Sequence, residues 1–372
     1  MLTDQEKQRY HRHTLLAEFG IEGQEKLKAS KVLVIGAGGL GCPALQYLCA
    51  AGVGTIGIVD DDVVDISNLQ RQVLYTDQDI GKSKAETAAQ KLRTQNPLIS
   101  VNAYPSRLTS HNALELISKY DLVIDGSDNF PTRYLVNDAC VILKKPFVMG
   151  SIFKFEAQIS VFNCQGGPTY RCIYPDPPDP GDVPNCSEIG VLGVLPGIAG
   201  SYQANEAIKV LTGIGKPLKG ELMVLNVLTM ESNKLLISLN PENLEIDTLI
   251  DYEEFCNSTN DKSDNMELKE ITATELKSML DNNEDVQIID VRESHEYDIC
   301  NMGGELIPLG TIPENADKIS KDKTVVMHCH HGKRSANAIM HLMQNEGYTN
   351  LLNLKGGINA WSIEVDSSVS TY

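Results

Sequence analysis

Lys31-Val-Leu-Val-Ile-Gly-Ala-Gly-Gly-Leu-Gly41 is a β-branched run that ends in a glycine-rich hexapeptide and passes at once into a helical pattern, Leu40–Ala51. A second β-branched run, Thr55–Val59, follows and ends on Asp60. Glycine lets backbone N–H groups come close to phosphate, and the positive end of a helix favours its charge. An acidic residue closing the next strand stands at about the spacing for a ribose contact. The stretch predicts a dinucleotide-type strand–turn–helix unit, with Gly36, Gly38, Gly39 and Gly41 along the phosphates and Asp60 on the ribose. The ligand is less well specified, and taken alone the motif suits an NAD-dependent oxidoreductase.

The alternation continues outward. Strands are expected at Ile99–Ala103, Leu122–Asp125 and Pro146–Gly150, with helices at Lys82–Gln95 and Arg133–Leu143. Strand and helix in turn imply an α/β fold with a mostly parallel, Rossmann-like sheet covered by helices. Residues 156–163 and 221–239 read as hairpin strands added antiparallel to that sheet. Between them the irregular segment Tyr174-Pro-Asp-Pro-Pro-Asp-Pro-Gly-Asp-Val-Pro184 precedes a helical run at Gly197–Leu211. A loop this long inside a compact domain is usually functional or mobile.

A smaller α/β unit follows. Thr272-Ala-Thr-Glu275 matches a capping box that opens a helix, and strand Val286–Val291, strand Thr324–Cys329 and helix Ser335–Glu346 come after it. The expected organisation is a first domain over 1–250, an acidic linker over 251–266 and a second domain over 267–372.

Composition narrows the function class. The chain has 372 residues, 42% of them hydrophobic, and no run nears the ~20 consecutive apolar residues of a membrane helix. No membrane partner is expected. A net charge of −18 argues against nucleic acid, whose backbone needs a basic face. Positions 251–300 hold 15 Asp+Glu against 4 Lys+Arg, which reads as a solvated linker. The charged start, Met1-Leu-Thr-Asp-Gln-Glu-Lys7, has no secretory pattern and points to the cytoplasm. There, nine scattered cysteines read as buried or reactive thiols.

The residues downstream of Asp60 shift the ligand from a dinucleotide to a triphosphate. Asn68 and Arg71 follow the second strand, and Lys84 opens the next helix. Cations beside a glycine loop suit a triphosphate better than a pyrophosphate joining two nucleosides. Asp125-Gly-Ser-Asp-Asn129 adds a carboxylate at a strand end, a natural position for Mg²⁺ beside phosphate oxygens. With Arg9-Tyr-His-Arg12, Ser67-Asn-Leu-Gln-Arg-Gln72 and Asn185-Cys-Ser-Glu-Ile-Gly-Val-Leu-Gly193, these features make residues 5–240 resemble the MoeB/ThiF/HesA adenylyltransferases, relatives of the ubiquitin-activating enzymes. The resemblance implies ATP as substrate, with Gly39 and Gly41 against the nucleotide and Asp60 on its ribose. It puts Asn68, Arg71 and Lys84 on the phosphates, Asp128 on Mg²⁺ with Asn129 beside it, and Arg12 on the γ-phosphate of a neighbouring subunit in a homodimer. The carboxylate that attacks ATP would be the C-terminal Gly-Gly of a small ubiquitin-like sulfur-carrier protein of the molybdopterin or thiamine type.

Cys186 lies in the Pro-rich segment, where the family's cysteine attacks the acyl-adenylate or exchanges persulfide; an inert thiol is the alternative. Many relatives clamp a structural zinc with two Cys-x-x-Cys pairs. This chain keeps Thr169-Tyr-Arg-Cys172 in place of the first and lacks the second, so no zinc is expected and packing alone should hold that corner. Cys42, Cys49 and Cys140 read as core.

His328-Cys-His-His-Gly-Lys-Arg-Ser335 sits between a strand and a helix. Such a loop wraps N–H groups round the sulfur, while Lys333, Arg334 and the helix N-terminus favour thiolate, which makes Cys329 nucleophilic. His330 and His331 should diverge into solvent. With Asp290-Val-Arg-Glu293 and Gly356-Gly-Ile-Asn-Ala-Trp361, residues 267–365 resemble single-domain rhodaneses, which implies a persulfide on Cys329 loaded by a persulfide donor. The two resemblances together imply carrier adenylation followed by sulfur transfer to a thiocarboxylate. A nucleotide- and sulfur-binding scaffold or redox sensor without turnover is the non-enzymatic alternative.

Overall fold

The computed structural model describes residues 1–178, 190–257 and 268–369. These divide into two compact units: residues 1–177 and 190–257 belong to the first, and residues 268–369, with Pro178, to the second. Among the described residues no helix is long and apolar enough to cross a membrane.

The first unit is built on eight strands: β1 (Lys31–Ile35), β2 (Thr55–Val59), β3 (Ser100–Tyr104), β4 (Leu122–Asp125), β5 (Phe147–Phe153), β6 (Glu156–Phe162), β7 (Glu221–Asn226) and β8 (Ser232–Leu236). Their order is β3-β2-β1-β4-β5-β6-β7-β8. The first five are mutually parallel, and β6, β7 and β8 are added antiparallel. Val32, Leu33, Val34 and Ile35 are all buried because separate apolar clusters cover the two faces of the sheet, as expected of central parallel strands. The strand order reverses between β1 and β4. That switch point opens a crevice outside the strands' carboxyl ends.

Among the elements of this unit that depart from expectation, two have a plain physical cause. Helix Phe130–Ile142 starts three residues before Arg133, because Asn129 accepts a hydrogen bond from the Thr132 N–H and Pro131 falls in the first turn. Residues 251–257, placed by their charge in the linker, instead include a helix, Tyr252–Asn257, docked on the first unit. Tyr252 and Cys256 are buried, and the Tyr252 hydroxyl donates to Asp138 Oδ2 at 2.7 Å. The i, i+4 apolar pair fixes this helix, while Asp251, Glu253 and Glu254 remain on its exposed side.

The second unit has five strands, β9 (Glu270–Ile271), β10 (Val286–Asp290), β11 (Glu305–Leu306), β12 (Thr324–His328) and β13 (Leu351–Leu354), in the order β11-β10-β12-β13-β9. Every neighbouring pair is parallel. Thr272 and Glu275 form the expected reciprocal cap of helix Ala273–Asp281. Cys329 directly follows β12, the middle strand, and helix Lys333–Glu346 carries the chain away.

Candidate functional site

The glycine loop is held from behind. Gly36 has φ 86°, and a Cβ on Gly41 would stand 2.0 Å from the Gly36 carbonyl oxygen, so only glycine admits so close a return of the chain. Asp60 Oδ2 accepts from the Ala37 N–H at 2.7 Å, and its Oδ1 accepts from the Asp62 N–H at 2.9 Å. Burial pushes the Asp60 carboxyl above the usual carboxylate range, opposed by those N–H groups and by Lys84. The Tyr75 hydroxyl reaches the carbonyls of Ala37 at 2.8 Å and Lys84 at 3.2 Å. It ties the glycine loop to the start of helix Lys84–Gln95.

The cations converge on that loop from other elements. Arg71 donates to the Ser67 carbonyl at 3.0 Å, and its Cγ lies 3.6 Å from where a Cβ on Gly39 would stand. Lys84 is buried, and its Nζ donates to the exposed carboxylate of Asp62 at 2.9 Å. Asn68 caps the turn Ile66–Asn68, its Oδ1 accepting from the Asp65 N–H. Gln72 is buried over Gly38, with its amide oxygen unpartnered among the described residues. A buried acceptor of this kind is ordinarily satisfied by something bound.

After β4 the two carboxylates separate by environment. Asp125 is fully buried, bonded to Ser127 and paired with Arg133 at 3.1 Å, so it is committed to structure. Asp128 is exposed, and among the described residues it is touched only by the Asn129 amide at 3.5 Å. The hard oxygens of an exposed carboxylate with no counter-cation among the described residues fit Mg²⁺. Arg12 is exposed in the short helix His11–Thr14, and no hydrogen bond or ion pair joins it to these residues. Cys186 lies outside the described residues.

The corner where relatives carry paired cysteines is not held by packing alone. Cys172 Sγ lies 3.4 Å from the Thr169 N–H and hydroxyl, 3.4 Å from the Asn240 N–H and 3.5 Å from the Asn243 amide. Burial alone would raise this thiol, but the bonds from Asn243, Thr169 and Asn240 outweigh it and bring it below its ordinary value. Thr169-x-x-Cys172 and Asn240-x-x-Asn243 thus meet with the spacing of two Cys-x-x-Cys pairs, joined by hydrogen bonds to one sulfur. Cys42, Cys49 and Cys140 are core, their thiols pushed up by burial.

In the second unit Cys329 is only 2% exposed. Its sulfur accepts from the Gly332 N–H at 3.1 Å and lies 3.6 Å from the Ser335 hydroxyl. The loop is turned inward by the chain behind it, since the Cys329 and His330 carbonyls accept from the Ile358 and Asn359 N–H groups. A Cβ on Gly357 would come within 2.3 Å of the Cys329 carbonyl oxygen, which accounts for the Gly356-Gly357 pair. Two sequence expectations are corrected here. Arg334 is held in a bidentate pair by Glu296, both bonds 2.7 Å, so most of its charge is neutralised before it can favour a thiolate. His330 and His331 do not diverge; their ring centroids lie 4.0 Å apart with the planes tilted by 39°, and burial leads the causes that lower the His330 pKa.

Asp290-Val-Arg-Glu293 serves as a strut. Arg292 is fully buried, clasping Asp290 at 2.6 Å and the Cys300 carbonyl at 2.8 Å, and so fixes helix Ser294–Ile299, which carries Glu296. His328 sits over the same pair, 3.7 Å from Asp290. Its ring is fully enclosed, and burial pushes its pKa down to about 4 against the opposing charge of Asp290. Tyr75, Gln72, Glu296 and Ser335 were not singled out from sequence. Only Gln72 and Ser335 carried a signal, as polar residues inside motifs already quoted.

Comparison with known proteins places these loops. Residues 10–245 match the ThiF family and residues 272–364 match a rhodanese-like domain. The chain is 45% identical to a probable adenylyltransferase/sulfurtransferase, MoeZ, of Mycobacterium tuberculosis, over 100% of this chain and 96% of that protein. It is 54% identical to a sulfur carrier protein adenylyltransferase of Thermus thermophilus, covering 68% of this chain and 98% of that one. Adenylyltransferase and sulfurtransferase MOCS3 of Aedes aegypti is 38% identical over 100% of this chain and 90% of its own. Among solved structures, E. coli MccB with ATP aligns with TM-score 0.57 at 21% identity, covering 66% of this chain and 75% of that chain, a likeness of fold.

Proposed function

Because the chain belongs to the ThiF family and carries a rhodanese-like domain behind it, we propose that it uses ATP to adenylate the C-terminal Gly-Gly carboxylate of a small ubiquitin-like sulfur-carrier protein, and that a persulfide on Cys329 supplies the sulfur of the resulting thiocarboxylate. The observation that carries this reading is the pairing in one chain of a glycine loop flanked by Arg71 and Lys84 with a thiol loop centred on Cys329.

In the first step the carrier carboxylate, ionised at neutral pH, attacks the α-phosphorus of ATP and pyrophosphate leaves. No general base is required. Backbone N–H groups of Gly36 to Gly41 lie along the phosphates, Asp60 accepts from the ribose, and Asn68, Arg71 and Lys84 stabilise the charge that builds on the phosphate oxygens. Lys84 exchanges its bond to Asp62 for one to phosphate. Mg²⁺, held by Asp128 with Asn129 beside it, would neutralise phosphate charge when bound. Arg12 is assigned to the γ-phosphate of a neighbouring subunit in a homodimer, a role that fits its exposure in the short helix His11–Thr14. No zinc is assigned, since the Cys172 hydrogen bonds take the place of a clamp.

In the second step Cys329 takes a sulfane sulfur from a persulfide donor, and that sulfur displaces AMP from the adenylated carrier. The product is an acyl disulfide, from which a thiol reductant frees the thiocarboxylate. Cys186 is assigned to thiol exchange in this phase, and the protein to the cytoplasm, where thiols remain reduced. The adenylation half is tested by exchange of labelled pyrophosphate into ATP with a Gly-Gly-ended carrier. Carrier-dependent exchange supports it; no exchange with any cognate carrier removes it.

A further inference from the structure

Ser335 is fully buried at the start of helix Lys333–Glu346 and has one proton for three acceptors. Its Oγ lies 2.7 Å from Asn353 Oδ1, 3.1 Å from the Gly332 carbonyl and 3.6 Å from Cys329 Sγ. Asn353, 3% exposed on β13, has its amide orientation set from the far side. Its Nδ2 donates to Glu270 Oε1 on β9 at 3.3 Å, and an ionised carboxylate only accepts. The amide oxygen must therefore face Ser335. With the sulfur neutral, the hydroxyl proton goes to its nearest acceptor, Asn353. Once the sulfur is anionic, a charge-assisted bond is about twice as strong as a neutral one and favours rotation of the O–H toward Sγ.

We propose that Ser335 is a catalytic hydroxyl of the sulfur-transfer half-reaction, a rotor that donates to Cys329 only while its sulfur carries negative charge, and that Asn353, oriented by Glu270, is its positioning residue. The inference rests on the reading of Cys329 as the persulfide carrier. In the thiosulfate reaction the Cys329 thiolate attacks the outer sulfur, a sulfur–sulfur bond forms to Sγ, and the bond to the inner sulfur breaks. Sulfite leaves with that electron pair, and no oxidant is consumed. Negative charge leaves Sγ in that step and returns to it when cyanide takes the outer sulfur as thiocyanate and the bond to Sγ breaks. With Gly332 N–H already on the sulfur and Arg334 paired with Glu296, Ser335 places a side-chain hydroxyl within reach of that returning charge.

The test is thiosulfate:cyanide sulfurtransferase activity of the full chain carrying Ser335→Ala, Ser335→Thr and Ser335→Cys, the last keeping volume while weakening the donor. A charge-assisted bond corresponds to roughly a tenfold to hundredfold effect. Ser335→Ala is therefore expected to lower kcat by about that factor with KM for thiosulfate nearly unchanged, and Ser335→Thr to recover most of it. Asn353→Ala should lower kcat less, and add nothing in a Ser335→Ala background, because it acts through the hydroxyl. Trp361, the chain's sole tryptophan, is buried in the second unit, so native emission certifies its fold in each variant; if the alanine variant loses it, the Cys and Thr pair decides by the same criterion. Parental kcat in a folded Ala or Cys variant overturns the proposal and leaves the persulfide reading standing. Absence of activity in the unmodified chain overturns both.

Discussion

The glycine loop after β1 and the cysteine loop after β12 occupy the same place in their sheets, the carboxyl end of an inner strand with a parallel neighbour on each side, yet they are finished in opposite ways. Around the glycine loop the charged groups are only provisionally engaged. Among the described residues, Lys84 rests on an exposed Asp62, Arg71 on a single carbonyl, and Asp128 on no cation. Around Cys329 the groups are engaged by the protein itself, with Arg334 on Glu296, Arg292 on Asp290, Ser335 on Asn353, and loop carbonyls on Ile358 and Asn359. An incoming triphosphate brings its own charge and needs groups that can change partner. A sulfur atom stays covalently attached through the cycle, and its cradle can be complete beforehand.

The largest expected effect separates the two loops outright. Cys329→Ala abolishes thiosulfate sulfurtransferase activity and leaves pyrophosphate exchange unchanged; equal loss of both would contradict independent chemistry. Next, Lys84→Ala lowers carrier-dependent pyrophosphate exchange by roughly 10²–10³-fold, the scale of a lost charge-stabilising donor, with sulfurtransferase activity retained. Loss of the second activity as well would break the comparison from the other side.

A pH series sharpens it further. In the unfolded chain the His328 ring takes up a proton as pH falls past 6.5, whereas in the fold it stays neutral down to about 4. The second unit should therefore have its full stability above pH 6.5 and lose up to roughly 3 kcal/mol as pH falls toward 4. Urea unfolding followed by Trp361 emission at pH 7.5 and at pH 4.5 reads this loss, and His328→Gln should flatten it. The smallest effect belongs to the first unit's corner. Cys172→Ala removes the hub shared by Thr169, Asn240 and Asn243 and should cost about 1–2 kcal/mol; a chelator should leave the parent's melting point unmoved.

Much of this was legible in sequence where one short stretch carries the whole instruction. β1, β2 and β4 have the bounds that their apolar runs predict, and the glycine loop and the Cys329 loop lie where their motifs require. What was not legible joins distant stretches. β13 is four residues with a polar one among three leucines, too short to read as a strand, yet it brings Asn353 to Ser335. Tyr75 acts through a hydroxyl that only folding carries to Ala37. Acidic neighbours masked the apolar pair that docks Tyr252–Asn257, and Asn240 and Asn243 show their relation to Cys172 only once β8 has returned the chain.

The central claim, that sulfur held on one unit ends on a carboxylate activated by the other, is tested most directly by a single-turnover transfer. The chain is loaded with radiolabelled sulfur on Cys329, freed of donor, and mixed with a Gly-Gly-ended carrier and a thiol reductant, with and without ATP. The account predicts label in the carrier as thiocarboxylate only when ATP is present, and none with Lys84→Ala. Label reaching the carrier equally without ATP, or an adenylated carrier that never gains label, would contradict it.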